Sequence, residues 1–408
     1  MRNTFRSLGG FNYRVWAGGA IVSNVGTWMQ RTAQDWLVLT ELTHTNATAV
    51  GVVMACQFGP QLFLLPLTGY VADHFDRRRV LMVTQSAMGL LALGLGLLTV
   101  THLVQLWEVY AFALGLGCAA AFDAPARQTF VAELVDEQHL SNAVALNSTS
   151  FNAARMIGPA VAGVMIAAIG TGWVFLANAV SFVAVLISLS CLRLHELHVK
   201  ERAKRSRGAL IEGFRYVWER PDLKAALLML FLVGTFGLNF PIFISTMSVG
   251  VFHKGAGEYG ILSSIMAIGS VTGALMAAGR PTPRPGILVA GALVFGIGLA
   301  LAAMMPDYIL FGLVLVVIGV AAQTFTTSAN TLMQLSTDPV MRGRVMAIFM
   351  AVALGTTPIG APIVGWTADR FGPRWGLAVG AVAGLLAAGV GIAYLVKTPR
   401  QQSPRQQA

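Results

Sequence analysis

Long apolar runs separated by short polar breaks fill the chain. They fall at about 15–40, 47–72, 80–101, 106–123, 141–169 and 173–192, then at 224–252, 258–279, 286–305, 308–331, 344–367 and 374–396. Each approaches the ~20 apolar residues that one helix needs to cross a bilayer. Lipid cannot satisfy free backbone N–H and C=O groups, so each run must be helical. The pattern predicts an all-α membrane protein of twelve transmembrane helices in two six-helix halves. The halves are 1–192 and 224–396, joined by a linker at 193–223 and followed by a tail at 397–408. An even number of spans puts both termini on one side.

Composition agrees and narrows the function classes. Hydrophobic residues make up 55% of the 408, charged residues 11%, and the mean hydropathy is +0.67. Soluble domains carry about 25% charge, so a soluble enzyme, a nucleic-acid binder and a disordered chain are all excluded. The net charge of +10 would suggest nucleic acid only if it gathered on a soluble face. Instead it reports topology. With both termini inside, Lys254, Arg370 and Arg374 fall outside, Arg31 and Arg155 fall within spans, and the other Lys and Arg residues all lie on the inner side. That is the positive-inside bias, and it offers anionic lipid headgroups a surface. The expected arrangement is a multi-pass membrane protein with cytoplasmic termini. The amino terminus lacks a small-residue cleavage site and reads as a retained first span.

The linker begins basic (Lys200, Arg202, Lys204, Arg205, Arg207) and continues into a segment where Leu210, Phe214, Val217 and Trp218 share one helical face. It reads as an amphipathic helix on the inner membrane surface. A constant shift between halves aligns Gly117 with Gly319, Asp136 with Asp338, Gly158 with Gly360, Gly163 with Gly365, Gly170 with Gly372 and Trp173 with Trp375. Such an internal duplication is common in secondary transporters.

The loop after the second run reads Gly69-Tyr-Val-Ala-Asp73-His-Phe-Asp-Arg77-Arg78-Arg79. It resembles the signature loop of the major facilitator superfamily, in spacing and in its place at the inner end of span two. The resemblance extends over the whole chain and implies the major facilitator fold with its two pseudo-symmetric halves. In that family the cluster holds the cytoplasmic side shut while the transporter faces outward. The residues carried over are Gly69, Asp73, Arg77 and Arg78. Arg342 and Arg344 are candidate partners for Asp73, and Asp123 for Arg77 or Arg78. The alternative is that these charges only fix topology.

In span five, Gly158-Pro159 followed by Gly163 looks like the family's Gly-Pro motif of proton-exchanging exporters, where it implies a bend and close packing. Two departures stand out. The intramembrane Arg often found in the family's fourth span is replaced here by Ala113. A copy of the signature loop, Gly365-Trp-Thr-Ala-Asp369-Arg-Phe-Gly372, falls outside, and it is read as a packing turn with no gating role. The linker and first span resemble the bacterial branch that includes the enterobactin exporter and macrolide efflux proteins.

Ionisable residues inside spans are functional candidates by default. Arg31 lies about 25 Å beyond Arg14 along the first helix and Asp35 about 31 Å, at ~1.5 Å per residue. They stand at i, i+4, and Arg155 of the neighbouring span five can join them. This trio reads as a proton-coupling site, as a static ion pair that orients span one, or as an aspartate simply hydrated at the vestibule. Since the family's cavity is lined by spans one, four, seven and ten, Asn24, Trp28, Gln34, Phe236, Asn239, Gln323 and Thr327 become candidate cavity residues. The resulting pocket is greasy with a few hydrogen-bonding groups.

Cys56, Cys118 and Cys191 have no metal or disulfide spacing, and Walker A, HExxH and GxSxG strings are absent. No cofactor or metal is expected, and the chain is not expected to be an enzyme. The expected function is a proton-coupled antiporter that exports a small amphipathic compound (a drug, siderophore or metabolite) by alternating access. The expected partners are that compound, protons and lipid, with no nucleic acid. A monomer suffices, since the stripe Gly376, Gly380, Gly384 reads as internal packing. An importer or facilitator of the same fold, and a membrane-embedded enzyme or scaffold, are the alternatives.

Overall fold

Every predicted run is helical in the computed structural model, which describes residues 6–198, 209–278, 285–338 and 340–397, except for the side chains at 65, 66, 69, 72, 73, 209–211, 278 and 354. Gly69, the Asp73 and Leu210 side chains, the basic stretch Lys200–Arg207, the loop Gly279–Arg284 and the tail beyond Lys397 lie outside the described residues. No strand occurs among the described residues.

Among the described residues, ten helices are long and apolar enough to cross a membrane. They are span 3 (Arg77–Val100), span 4 (Leu106–Glu133), span 5 (Glu137–Ile169), span 6 (Thr171–Ser190), span 7 (Pro221–Val251), span 8 (Ala256–Ala277), span 9 (Pro285–Met304), span 10 (Tyr308–Ser336), span 11 (Arg342–Phe371) and span 12 (Pro373–Lys397). Span 1 (11–42) is helical throughout but polar, carrying Gln30, Arg31, Gln34 and Asp35. Span 2 is broken into Ala47–Phe63 and Leu65–His74, the second piece opening on Pro66. Proline has no N–H to donate and cannot continue a helix undisturbed. With these two the bundle accommodates the twelve runs. Side-chain caps start several helices: Asn46 accepts from Ala49 N at 2.9 Å, and Asp307 from Ile309 N and Leu310 N at 2.9 Å. They satisfy amide groups that a helix start leaves free.

The duplication is visible in the packing. Gly117 presses on the span 2 backbone at Cys56 and Gln57, and Gly319 on the span 8 backbone at Met266. Gly158 abuts Trp28 of span 1, and Gly360 abuts Thr235 of span 7. Gly170 and Gly372 both turn the chain at positive φ, +89° and +103°, where a Cβ would be strained.

One matched pair joins the halves. A methyl group on Gly163 would fall 2.7 Å from the carbonyl oxygen of Ala256 in span 8. Gly365 meets the carbonyl of Ala47 in span 2 in the same way. Both contacts lie at the end of the bundle opposite the basic loops. Gly51 adds a third nearby, 2.5 Å from the Ala361 oxygen for an added Cβ. Spans 2 and 11, and spans 5 and 8, are the pairs packed across the divide. Span 5 runs unbroken through Pro159, and Gly260 of span 8 packs on the Pro159 carbonyl. The Gly-Pro motif therefore serves close packing between halves. The glycine stripe of span 12 points inward, Gly384 against Gly296 of span 9.

The linker helix (Ala209–Glu219) docks on the start of span 11. Val217 is 1% exposed, whereas Phe214 and Trp218 stack on each other at 5.5 Å and are exposed. Val217 therefore does not share the exposed apolar face expected of it. It anchors the helix while the two aromatics face outward.

Candidate transport cavity

Trp28, Arg31, Thr32 and Asp35 recur along span 1 at helical spacing, so they present one face. That face lines a cavity of about 310 Å³ between the halves. Span 5 contributes Arg155 and Pro159, span 2 Met54, Gln57 and Phe58, and span 7 Leu238, Phe240, Pro241 and Ile244. In span 8 Tyr259, Ser263, Met266 and Ser270 follow the same helical spacing, and span 10 adds Gln323 and Thr326. Span 7 is wound loosely here, with Leu238 N donating to Val233 O and Phe252 N to Met247 O, five residues back. Such wide turns recur at functional sites, and this one turns Leu238 and Phe240 into the cavity.

The predicted trio is brought together in one cavity. Asp35 is 5% exposed, and Tyr259, from the other half, lines the same cavity and interacts with it electrostatically. Tyr259 also stacks on Trp36 at 6.0 Å. The Arg31 guanidinium lies over the rings of Trp28 (4.9 Å) and Phe58 (5.3 Å). Arg31 feels the charge of Asp35, but among the described residues no ion pair or hydrogen bond engages the guanidinium of Arg31 or of Arg155.

Of the candidate cavity residues, Trp28 and Gln323 line this space. Asn24 sits toward the basic end, accepting from Arg127 at 3.1 Å. Gln34 accepts from Gln57 at 3.1 Å and borders a separate pocket of about 40 Å³. Asn239 is fully buried and donates to Thr235 O at 2.7 Å, Phe236 packs into the apolar core, and Thr327 accepts from Gln323 at 3.1 Å. Span 4 lines only the small pocket, through Leu116, Gly117 and Ala120, and Ala113 is buried. Spans 2 and 8 take the place expected of span 4. Tyr259 and Ser263 were not foreseen, because hydroxyl residues in an apolar run carry no charge signal.

The charges at the basic end pair differently from expectation. Asp123 accepts from Arg127 (3.0 Å), Thr84 (2.9 Å) and Gln85 (2.6 Å), not from Arg77 or Arg78. Its i, i+4 spacing to Arg127 was the available signal. Arg77 pairs with Glu133, and Arg78 donates to Leu189 O at 2.7 Å. Arg344 pairs with Glu212 of the linker helix at 2.6 Å, and Arg342 is exposed. The second copy of the signature loop also does more than turn the chain. Asp369 accepts from Ala47 N at 2.6 Å and Thr48 N at 2.8 Å, across the divide between halves.

A twelve-run bundle in two related halves, with a charged cavity between them, is a transporter architecture, and the transmembrane secretion effector family matches residues 6–408. The chain belongs to the major facilitator superfamily. Among curated relatives of this transporter, the staphyloferrin A transporter of Staphylococcus aureus is 28% identical, over 85% of this chain and 87% of the relative. The multidrug efflux pump Tap of Mycolicibacterium fortuitum is 27% identical over 86% and 88%, and the enterobactin exporter EntS of Shigella boydii is 25% identical over 79% and 77%. A bacterial homologue of the lysosomal transporter Spinster, solved inward-facing and unoccupied, superposes at a TM-score of 0.75 with 14% identity, over 94% of this chain and 97% of that one. A D-xylose–proton symporter does so at 0.73, also with 14% identity, over 93% and 97%. The two solved structures share the fold. This facilitator is a multi-pass membrane transporter and not an enzyme.

Proposed function

We propose that this transporter exports a small amphipathic compound across a bacterial inner membrane in exchange for protons. Both termini and the basic end face the cytoplasm. The observation that carries the reading is Asp35. It is the one carboxylate among the described residues lining the cavity, where it shares the space with Tyr259 of the opposite half. A carboxylate draws a hydroxyl donor more strongly than a neutral acid does. Loading a proton on Asp35 therefore loosens a contact that spans the divide, and losing the proton restores it. The state described here is joined at the outer end by the Gly163–Ala256 and Gly365–Ala47 contacts, so its access is from the cytoplasm. Arg31 and Arg155 stand beside Asp35 and set its local field. The exporters named among the relatives support the outward direction, as does the Gly-Pro packing of span 5 on span 8.

The Asp73 cluster is the complementary gate. In the outward-facing state the cytoplasmic ends of the halves close, and Gly69, Asp73, Arg77, Arg78, Asp123, Arg342 and Arg344 gather there. Arg344 leaves Glu212 for Asp73 in that step.

The test compares compounds retained by cells lacking the transporter with those retained by cells carrying it. A compound cleared only by transporter-bearing cells, with clearance abolished by a protonophore, is expected. The Asp35→Asn variant is expected to bind that compound but not to clear it. Wild-type clearance by Asp35→Asn under the same gradient removes the proton role, and accumulation inside transporter-bearing cells reverses the direction.

A further inference from the structure

We propose that Arg31 and Arg155 form an anion-binding site, so that the transported compound is an amphipathic carboxylate. This deepens the transport reading of the cavity and rests on it. Spans 1 and 5 cross where Gly158 abuts Trp28. Arg155 stands one turn before that crossing and Arg31 one turn after it, about 9 Å apart along the two helices at ~1.5 Å per residue. Both side chains open into the same cavity.

Each guanidinium has five N–H donors and no way to lose its charge. Among the described residues neither one has a hydrogen-bonding or ionic partner. Both side chains are half-buried at the cavity wall, where donors without a protein partner are open to an anion. Asp123 pairs with Arg127 and Glu133 with Arg77, and Asp35, whose charge Arg31 feels, forms no ion pair or hydrogen bond with either arginine among the described residues. The cavity thus holds two cations against one carboxylate.

The packing of Arg31 also suits capture of an anion. Its guanidinium lies over the rings of Trp28 and Phe58, which offer it no oxygen acceptor and leave its N–H donors available to one in the cavity. A carboxylate takes two such donors in parallel hydrogen bonds. Met54, Phe240, Ile244 and Met266 supply apolar wall for the rest of the molecule. An inside-negative membrane potential drives an anion outward, the direction of the export reading.

The full chain, purified in detergent, would be titrated by calorimetry with three isosteric probes: 2-naphthylacetate, 2-naphthylacetamide and 2-(2-naphthyl)ethylamine. The carboxylate is expected to bind about tenfold or more tightly than the amide or the amine. Arg155→Gln and Arg31→Gln are each expected to erase that preference, so that carboxylate and amide bind alike to within about twofold. Lysine at either place should retain part of it. A ranking led by the amine or amide, no carboxylate binding at millimolar concentration, or an unchanged preference in both glutamine variants overturns the site. Should the variants fail to fold, the wild-type ranking alone decides. Binding needs no gradient, so a failed ranking removes the anion site and leaves proton-coupled export to the clearance assay. Lost gradient-driven clearance with the ranking intact does the reverse.

Discussion

Asp369, at the end of span 11, caps the start of span 2 by accepting from the Thr48 amide at 2.8 Å. A second oxygen takes the Ala47 amide. A carboxylate at a helix N-terminus satisfies free amides and meets the positive end of the helix dipole. Because the helix it caps belongs to the other half, the capping energy holds the two halves together.

Asp369→Asn keeps the shape and removes the charge. It is expected to weaken closure of this end by about 2–3 kcal/mol, because one oxygen becomes an NH2 that cannot accept from a backbone amide and the remaining bond loses its charge. Spin labels at His44 and Arg370 would report it as a broadened, longer distance distribution. An unchanged distribution would show that the glycine contacts alone keep this end closed.

Gly365→Val sets a branched side chain against the Ala47 backbone, which cannot move aside as a flexible side chain could. Outer closure is expected to fail, leaving transport lost and an engineered cysteine at Thr357 open to impermeant maleimide from outside. Wild-type transport by this variant would sink the account of that seam.

Buried Asp123 with Arg127 makes a different prediction. Removing one partner strands the other, which costs about 3–5 kcal/mol. Asp123→Ala should therefore lower the melting temperature far more than the double change Asp123→Leu with Arg127→Met. Equal losses would mean that the pair is solvated.

The linker helix separates packing from charge. Val217→Asp should cost about 3 kcal/mol or more, because it buries an unpaired carboxylate. Glu212→Gln breaks a solvent-exposed pair with Arg344 and should cost less than about 1 kcal/mol. Limited proteolysis at the linker orders the two variants, and the reverse order would show that charge holds this helix.

Tyr259→Phe removes only the hydroxyl that shares the cavity with Asp35. Clearance should lose its dependence on the proton gradient while binding in the cavity survives. Gradient-dependent clearance at the wild-type rate would take Tyr259 out of the coupling.

Spans and halves were legible because lipid forces apolar runs into helices and Lys and Arg bias the loops. Arg31, Asp35 and Arg155 were legible because charge is rare in such runs. Their shared cavity followed from i, i+4 spacing on one helix and a neighbouring span. Tyr259 was hidden because its partner lies on another span in the other half and tyrosine is unremarkable in an apolar helix. Asn24 and Asn239 misled for the converse reason: amides inside spans bond to nearby backbone or side chains as readily as they face a cavity. Asp369 was visible as a motif, but its role depends on where span 2 begins in space.

The matched contacts of Gly163 with span 8 and Gly365 with span 2 have a consequence for how the bundle is assembled. One surface patch, present once in each half, meets the corresponding start of a helix in the other. That is the isologous interface of a two-fold dimer, here between two units on a single chain. The covalent link keeps the dimer from dissociating, so the interface need not be strong enough to hold two free subunits together. It can be as weak as opening requires, and the outer seam can part and re-form without the halves ever being lost to each other.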